Sequence, residues 1–208
     1  MRVRIKLCGM MRREDVALAS QLGADAVGLV FYAASPRCLS LAQARDLAAS
    51  APAFLTMTAV FMNPARADVE QVLHSMRIDV LQFHGEESPE FCRAFGRAYV
   101  KAVPMGGGAD ASDYARRYAD ACALLLDSHA HGQPGGQGAR FAWNRVPPIA
   151  WPPLILAGGL NAENVADAIR SVHPYGVDVS SGVESAPGIK DQRKMSEFVR
   201  EVQRVSTA

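Results

Sequence analysis

The chain carries no excess of charge. Its 22 Lys and Arg residues nearly balance 21 Asp and Glu residues, for a net charge of +1. A nucleic-acid surface needs a basic excess, and an acidic disordered chain needs the opposite; neither is expected here. Close cysteine pairs are also missing. Cys8, Cys38, Cys92 and Cys122 are widely and irregularly spaced, with no C-x-x-C among them. That spacing argues against a disulfide framework and against a structural zinc site. No apolar run approaches the roughly 20 residues needed to span a membrane. The N-terminus enters a strand pattern directly, with no charged-then-apolar leader. The expectation is a cytoplasmic protein with neither membrane nor nucleic acid as partner.

What the chain does have is length and alternation. Its 208 residues, 49% hydrophobic, suffice for one substantial core. Strand-like runs recur at Val3–Cys8, Ala26–Phe31, Leu55–Phe61, Val80–His84, Tyr99–Val103, Ala123–Asp127, Leu154–Ala157 and Gly176–Ser180. Helical patterns follow most of them: Arg13–Leu22, Leu41–Ser50 capped by Ser40, Ala65–His74 opened by Asn63-Pro64, and further helices opened by Ser88-Pro89 and Ser112. Asn161 is placed to cap Ala162–Val172, and a last helix spans about Asp191–Gln203. The sixth unit is the least regular, with a loop over Ser128–Arg140 holding four glycines and a proline. Regular βα alternation implies a parallel sheet. Eight units in this length predict a single (β/α)8 TIM barrel, one α/β domain over residues 1–208; a doubly wound sheet is the alternative.

In such a barrel chemistry gathers at the C-terminal ends of the strands, and alternation decides which side chains face inward. Cys8 ends the first strand and shares inward parity with Arg4 and Lys6. Asp127 ends the sixth, so a thiol and a carboxyl face one cavity, able to act as base and acid on opposite sides of a small substrate. The plainer readings are a packed thiol for Cys8 and a loop anchor for Asp127. Gly158-Gly159 follows strand seven, and Ser180-Ser181-Gly182 follows strand eight. These loops form the recurrent phosphate cradle of the fold. Arg37, on the loop after strand two, has the planar fork that suits a carboxylate. Lys6 needs a buried counter-charge, and Asp178 on strand eight has the right parity to supply it. His84 shares a face with Gln82 on strand four. His129 and His131 lack a third ligand, so no metal is expected. Gly135-Gly136-Gln137-Gly138 lacks the P-loop spacing and reads as a lid or substrate-lining loop.

Taken together, these segments resemble the phosphoribosylanthranilate isomerase family over essentially the whole chain. The carriers are Lys6-Leu7-Cys8-Gly9-Met10, Asp25–Phe31 with Ser35-Pro36-Arg37, Gln82-Phe83-His84-Gly85, Leu126-Asp127-Ser128, and Gly135–Gly138 with Phe141-Ala142-Trp143. They continue with Leu156–Asn161 and Gly176–Glu184 before Pro187–Asp191. The resemblance implies a cofactor-free Amadori rearrangement of N-(5-phosphoribosyl)anthranilate in tryptophan biosynthesis. It implies Asp127 as general acid and Cys8 as general base. Arg37 would hold the anthranilate carboxylate, and Gly158, Gly159, Ser180, Ser181 and Gly182 the phosphate. Lys6, His84 and Asp178 would support them, in a monomer or a homodimer acting on a small phosphosugar. Departures fall at Met10-Met11, Gln137, Ala139-Arg140 and Ala142, mostly in the sixth loop, and leave Cys8, Asp127 and Arg37 intact.

Overall fold

A computed structural model of the chain describes residues 2–129, 142–143, 146–148 and 150–206. Eight strands close a parallel barrel in chain order: β1 (Arg4–Cys8), β2 (Ala26–Val30), β3 (Thr56–Phe61), β4 (Val80–Phe83), β5 (Ala98–Pro104), β6 (Ala123–Asp127), β7 (Leu154–Leu156) and β8 (Gly176–Val179). The helices are α1 (Arg13–Gln21), α2 (Leu41–Ser50), α3 (Arg66–Ser75), α4 (Pro89–Arg93), α5 (Ala111–Arg117), α6 (Val165–Val172) and α7 (Gln192–Ser206). A short antiparallel hairpin, β9 (Glu184–Ala186) and β10 (Ile189–Lys190), lies between β8 and α7. The eight expected strands are all present, with ends shifted by about one residue. The Gly135–Gly138 stretch, His131, Ala139-Arg140 and Phe141 lie outside the described residues.

Local chemistry explains the helix starts. Ser40 accepts from the Gln43 N–H while Gln43 returns a bond to the Ser40 N–H, closing a capping box on α2. Ser88 caps α4 ahead of Pro89 at its first position. Three starts differ from expectation. Asp110, not Ser112, caps α5, because its carboxylate accepts from the Ser112 N–H. Asn63 adopts a left-handed backbone, and α3 begins after Ala65, whose N–H donates to Asp68. Asn161 binds the N–H groups of Glu163 and Asn164, which holds a turn and delays α6 to Val165.

The alternation along the strands sorts two apolar layers. Val3, Ile5 and Leu7 face outward into the main core, beneath residues such as Val16, Leu47 and Phe198 of the helices. Val100, Ala102, Ala123, Leu125 and Ala157 fill the barrel interior. Nearer the C-terminal rim, Cys8 packs with Val30 and Val60. Lys6 pairs with Asp178 across the seam where β8 meets β1, Nζ to Oδ1 3.0 Å, and both residues are buried. The inward parity expected for these two residues is therefore met.

A second buried pair was not anticipated. Lys101 on β5 faces away from the barrel axis and meets Glu87, Nζ to Oε2 2.8 Å. Lys101 also donates to the carbonyls of Phe83 and Gly85, while Glu87 accepts from the N–H groups of Asn63 and Gly85. The network braces the loop that carries His84. Removing one partner of a buried pair leaves an uncompensated charge. Lys101→Met is therefore expected to lower unfolding free energy by about 3–5 kcal/mol, read as a fall in the urea midpoint; an unchanged midpoint would remove the bracing role.

Candidate active site

Seven of the eight strands contribute residues at or just beyond their C-terminal ends to one cavity of about 90 Å³ at the rim, β5 being the exception. Cys8, Arg37, His84, Asp127, Gly158, Gly159, Asp178, Ser180, Ser181 and Gly182 all line it. Ten of the eleven residues singled out from the sequence thus meet in one place. The eleventh, Lys6, lies one step deeper, with its ammonium on Asp178.

Cys8 is the last residue of β1, directly opposite Gly28 of β2. A Cβ on Gly28 would stand 2.5 Å from the Cys8 sulfur, so only glycine leaves room for the thiol to point inward. Burial pushes the thiol pKa up; Lys6 and Lys190 pull it down and Asp178 adds to the rise, leaving it raised. The ligand-free protein therefore keeps Cys8 protonated near neutral pH. For Lys6, burial opposes the charge, but Asp178 and Cys8 more than offset it, so its ammonium is retained.

Asp127, at the end of β6, sits between two imidazoles. His84 Nε2 lies 3.1 Å from Asp127 Oδ2, and Gln82 Nε2 lies 3.2 Å from His84 Nδ1. His129 Nδ1 stands 3.7 Å from the same Asp127 oxygen, and the two imidazole rings lie 4.5 Å apart, tilted by 36°. Burial alone would raise the Asp127 pKa; His129 and His84 outweigh it and hold the carboxyl well below the usual range. For His129 burial dominates and favours the neutral ring.

Arg37, on the loop after β2, is buried rather than solvated. Its Nε and Nη2 donate to Glu184 at 2.8 and 2.7 Å, and Lys190 Nζ meets the same carboxylate at 2.8 Å. The β9–β10 hairpin makes this possible, since Lys190 is paired with Glu184 in its register. Two cations share one buried anion, leaving a surplus positive charge for an acidic ligand. The bond from Glu184 raises the Arg37 pKa further. Glu184 occupies the Nε–Nη2 edge of the guanidinium and fixes the orientation of a side chain that lines the cavity. Val30, Tyr32, Val60, Phe61 and Met62 form an apolar wall on the same cavity.

The opposite wall is backbone. Gly158 and Gly159 both adopt positive φ, +80° and +64°, and a Cβ on Gly158 would collide with Ser128. At Gly182 an added Cβ would run into the Leu160 carbonyl, so the two loops pack backbone against backbone. Ser180 Oγ donates to the Cys8 carbonyl at 3.1 Å and Lys190 Nζ donates to the Ser180 carbonyl at 3.0 Å. The Ser180 hydroxyl proton is thus committed to β1, coupling the glycine-serine loop to the strand that ends in the thiol.

Sequence reading assigns no role to Gly28, Glu184 or Lys190, names Gln82 only as a neighbour of His84, and sets His129 aside for want of a third ligand. Gly28 and Gln82 were visible in strand parity. Glu184 and Lys190 become partners only through a hairpin that no alternation pattern announces.

Comparison with known proteins agrees with this geometry. Residues 5–201 match the family model described as N-(5'phosphoribosyl)anthranilate (PRA) isomerase. An N-(5'-phosphoribosyl)anthranilate isomerase of Halorhodospira halophila is 51% identical over 204 residues, covering 98% of each chain. The crystal structure of phosphoribosyl anthranilate isomerase from Thermotoga maritima superposes with a TM-score of 0.88 at 36% identity, over 97% of this chain and 99% of that one. Another isomerase structure, in complex with reduced 1-(o-carboxyphenylamino)-1-deoxyribulose 5-phosphate, gives 0.80 at 35% identity over the same shares. A structure of monomers generated from the dimeric Thermotoga maritima isomerase gives 0.82 at 33%, again over 97% and 99%. With a closed eight-stranded barrel and relatedness over nearly the full length, the chain belongs to the N-(5'-phosphoribosyl)anthranilate isomerase family.

Proposed function

We propose that the chain, acting as one barrel domain over residues 1–208, converts N-(5-phosphoribosyl)anthranilate to 1-(2-carboxyphenylamino)-1-deoxyribulose 5-phosphate, with Asp127 as general acid and Cys8 as general base. The observation that carries the assignment of roles is the facing of these two groups across one rim cavity. Phosphate binds between Gly158-Gly159 and Ser180-Ser181-Gly182, where small residues leave backbone N–H groups accessible. The anthranilate carboxylate meets the free edge of Arg37, with its ring on the apolar wall. That places the ribose between sulfur and carboxyl. Asp127 gives a proton to the ring oxygen, the C1–O bond breaks and nitrogen takes up the positive charge as an iminium. Cys8 then removes the C2 proton, giving an enolamine that becomes the ketone. One proton enters and one leaves, as an isomerisation requires, and no redox or group-transfer partner is called for.

The charges of the ligand-free site run opposite to those the reaction needs: Cys8 holds a proton and Asp127 lacks one. The two states have the same proton count. The reactive form is therefore a minor tautomer of the resting form, reached by net transfer of one proton from sulfur to carboxylate. His84, bonded to Asp127 Oδ2, steers the carboxyl toward the ribose.

At the other end of the barrel, Phe54 is wholly exposed on the loop before β3. It borders a cavity of about 510 Å³ lined also by Arg2, Arg4 and Tyr175. An exposed aromatic beside a cavity suits self-association, and a relative is dimeric. We assign the homodimer rather than the monomer.

Three outcomes are expected. Substrate fluorescence should decay on adding purified protein, and Cys8→Ala and Asp127→Ala should each slow that decay by at least about 100-fold. Arg37→Ala should act mainly on KM, and near-normal rates in either acid–base variant would strip that residue of its role. Alkylation of Cys8, followed by peptide mapping with iodoacetamide, should quicken about tenfold per pH unit between pH 7 and 8, because the reagent sees thiolate alone. Over the same interval kcat/KM should stay nearly flat, since gained thiolate is cancelled by lost carboxylic acid; a parallel tenfold rise would show that Asp127 carries no essential proton. Sedimentation should find a dimer that Phe54→Glu converts to monomer, and a monomeric parent chain would refute the assembly.

A further inference from the structure

We propose that His84, Asp127 and His129 form a binding site for a borderline divalent cation, zinc above all, at the mouth of the barrel. The three donor groups already converge. His84 Nε2 is 3.1 Å and His129 Nδ1 3.7 Å from Asp127 Oδ2, and all the potential ligand atoms lie within 4.8 Å of one another. Tetrahedral zinc with bonds of about 2.0–2.2 Å separates its donors by roughly 3.3–3.5 Å, which falls between the two observed spacings. Two imidazoles and one carboxylate, with a fourth position open toward a cavity, make a donor set zinc accepts.

One observation in particular points to a ligand here. His129 is 8% exposed, and its Nδ1 is buried with no hydrogen-bond partner among the described residues, although it is aimed at Asp127. Buried polar atoms without partners are costly. A cation satisfies this one. It takes the lone pair of His129 Nδ1 directly. It also takes His84 Nε2, which moves the His84 proton to Nδ1; a half-turn of the Gln82 amide then brings Oε1 to accept it. Gln82 thereby becomes the outer partner that metal-bound histidines ordinarily require.

The cation would occupy the carboxylate assigned above as general acid, so zinc should inhibit turnover; this consequence, unlike the site itself, rests on the isomerase reading. Sequence spacing could not reveal the whole site, because His84, the third member, lies 45 residues before His129 in the chain.

Calorimetric titration of the metal-stripped full chain with zinc chloride tests the site, with cobalt(II) absorption as a second readout of tetrahedral coordination. The wild-type chain should bind one zinc at this site, and His129→Phe should weaken that event by at least about 100-fold, beyond what loss of an outer partner costs. His129→Gln, which keeps a polar side chain, should also lose it. Equal affinity in wild type and both variants, or no zinc binding by the folded wild-type chain, would overturn the proposal. In parallel, one equivalent of zinc should abolish substrate decay and chelator should restore it. Zinc bound through His129 with undiminished turnover would leave the site standing and refute inhibition through Asp127.

Discussion

The ion pair between Lys6 and Asp178 is the constraint on which the site depends. It closes the last seam of the barrel, between β8 and β1, and it lies directly beneath the thiol. A lysine pointing into a barrel interior is unfavourable without a counter-charge. Asp178, at the facing register position, supplies it, and the pair holds β1 so that Cys8 ends at the rim. Above this pair the chain builds a second one with unequal charge. Arg37 and Lys190 share Glu184, and the surplus positive charge makes the cavity a receptor for anions. The two devices are linked through Ser180, which bonds the Cys8 carbonyl on one side and is bound by Lys190 on the other.

This arrangement explains why the acid and base carry their protons in the reverse sense before substrate arrives. Burial dominates at sulfur, and the two imidazoles dominate at Asp127. A site with a permanent thiolate would be exposed to oxidation and metals in the absence of substrate. A neutral thiol beside nearby cations is protected, yet needs only a proton transfer to become a base. The same imidazoles that hold Asp127 ionised complete the proposed cation site, so the proposed catalysis and the proposed metal capture draw on one carboxylate.

Much of this was legible in the chain because barrel geometry is governed by period two. Cys8, Lys6, Asp127 and Asp178 could be placed by counting along strands, and the Lys6–Asp178 pair followed from parity and ring closure alone. The glycine and serine loops were legible because few residues permit close backbone approach. The partners of Arg37 were not. Glu184 and Lys190 lie in an irregular β8–α7 connection, and their pairing comes from hairpin register. His129 was read as a loop histidine because one of its two companions, His84, is distant in sequence. Lys101 and Glu87 were missed for another reason: their charges are buried outside the barrel wall, where polarity pattern predicts only apolar packing. Helix starts shifted where a side chain earlier or later in the turn captured the free N–H groups, as at Asp110 and Asn161.

The central claim is that the substrate lies in one orientation, phosphate on the glycine-serine loops and carboxylate on Arg37, with ribose between Cys8 and Asp127. A crystal structure of this chain with the reduced product analogue 1-(o-carboxyphenylamino)-1-deoxyribulose 5-phosphate tests it most directly. The account predicts phosphate oxygens within hydrogen-bond reach of the Gly159 and Gly182 backbone, a paired contact from Arg37 to the carboxylate, and Cys8 Sγ and Asp127 on opposite sides of the sugar carbons. Phosphate bound at Arg37, or Cys8 and Asp127 on the same side of the ligand, would contradict it.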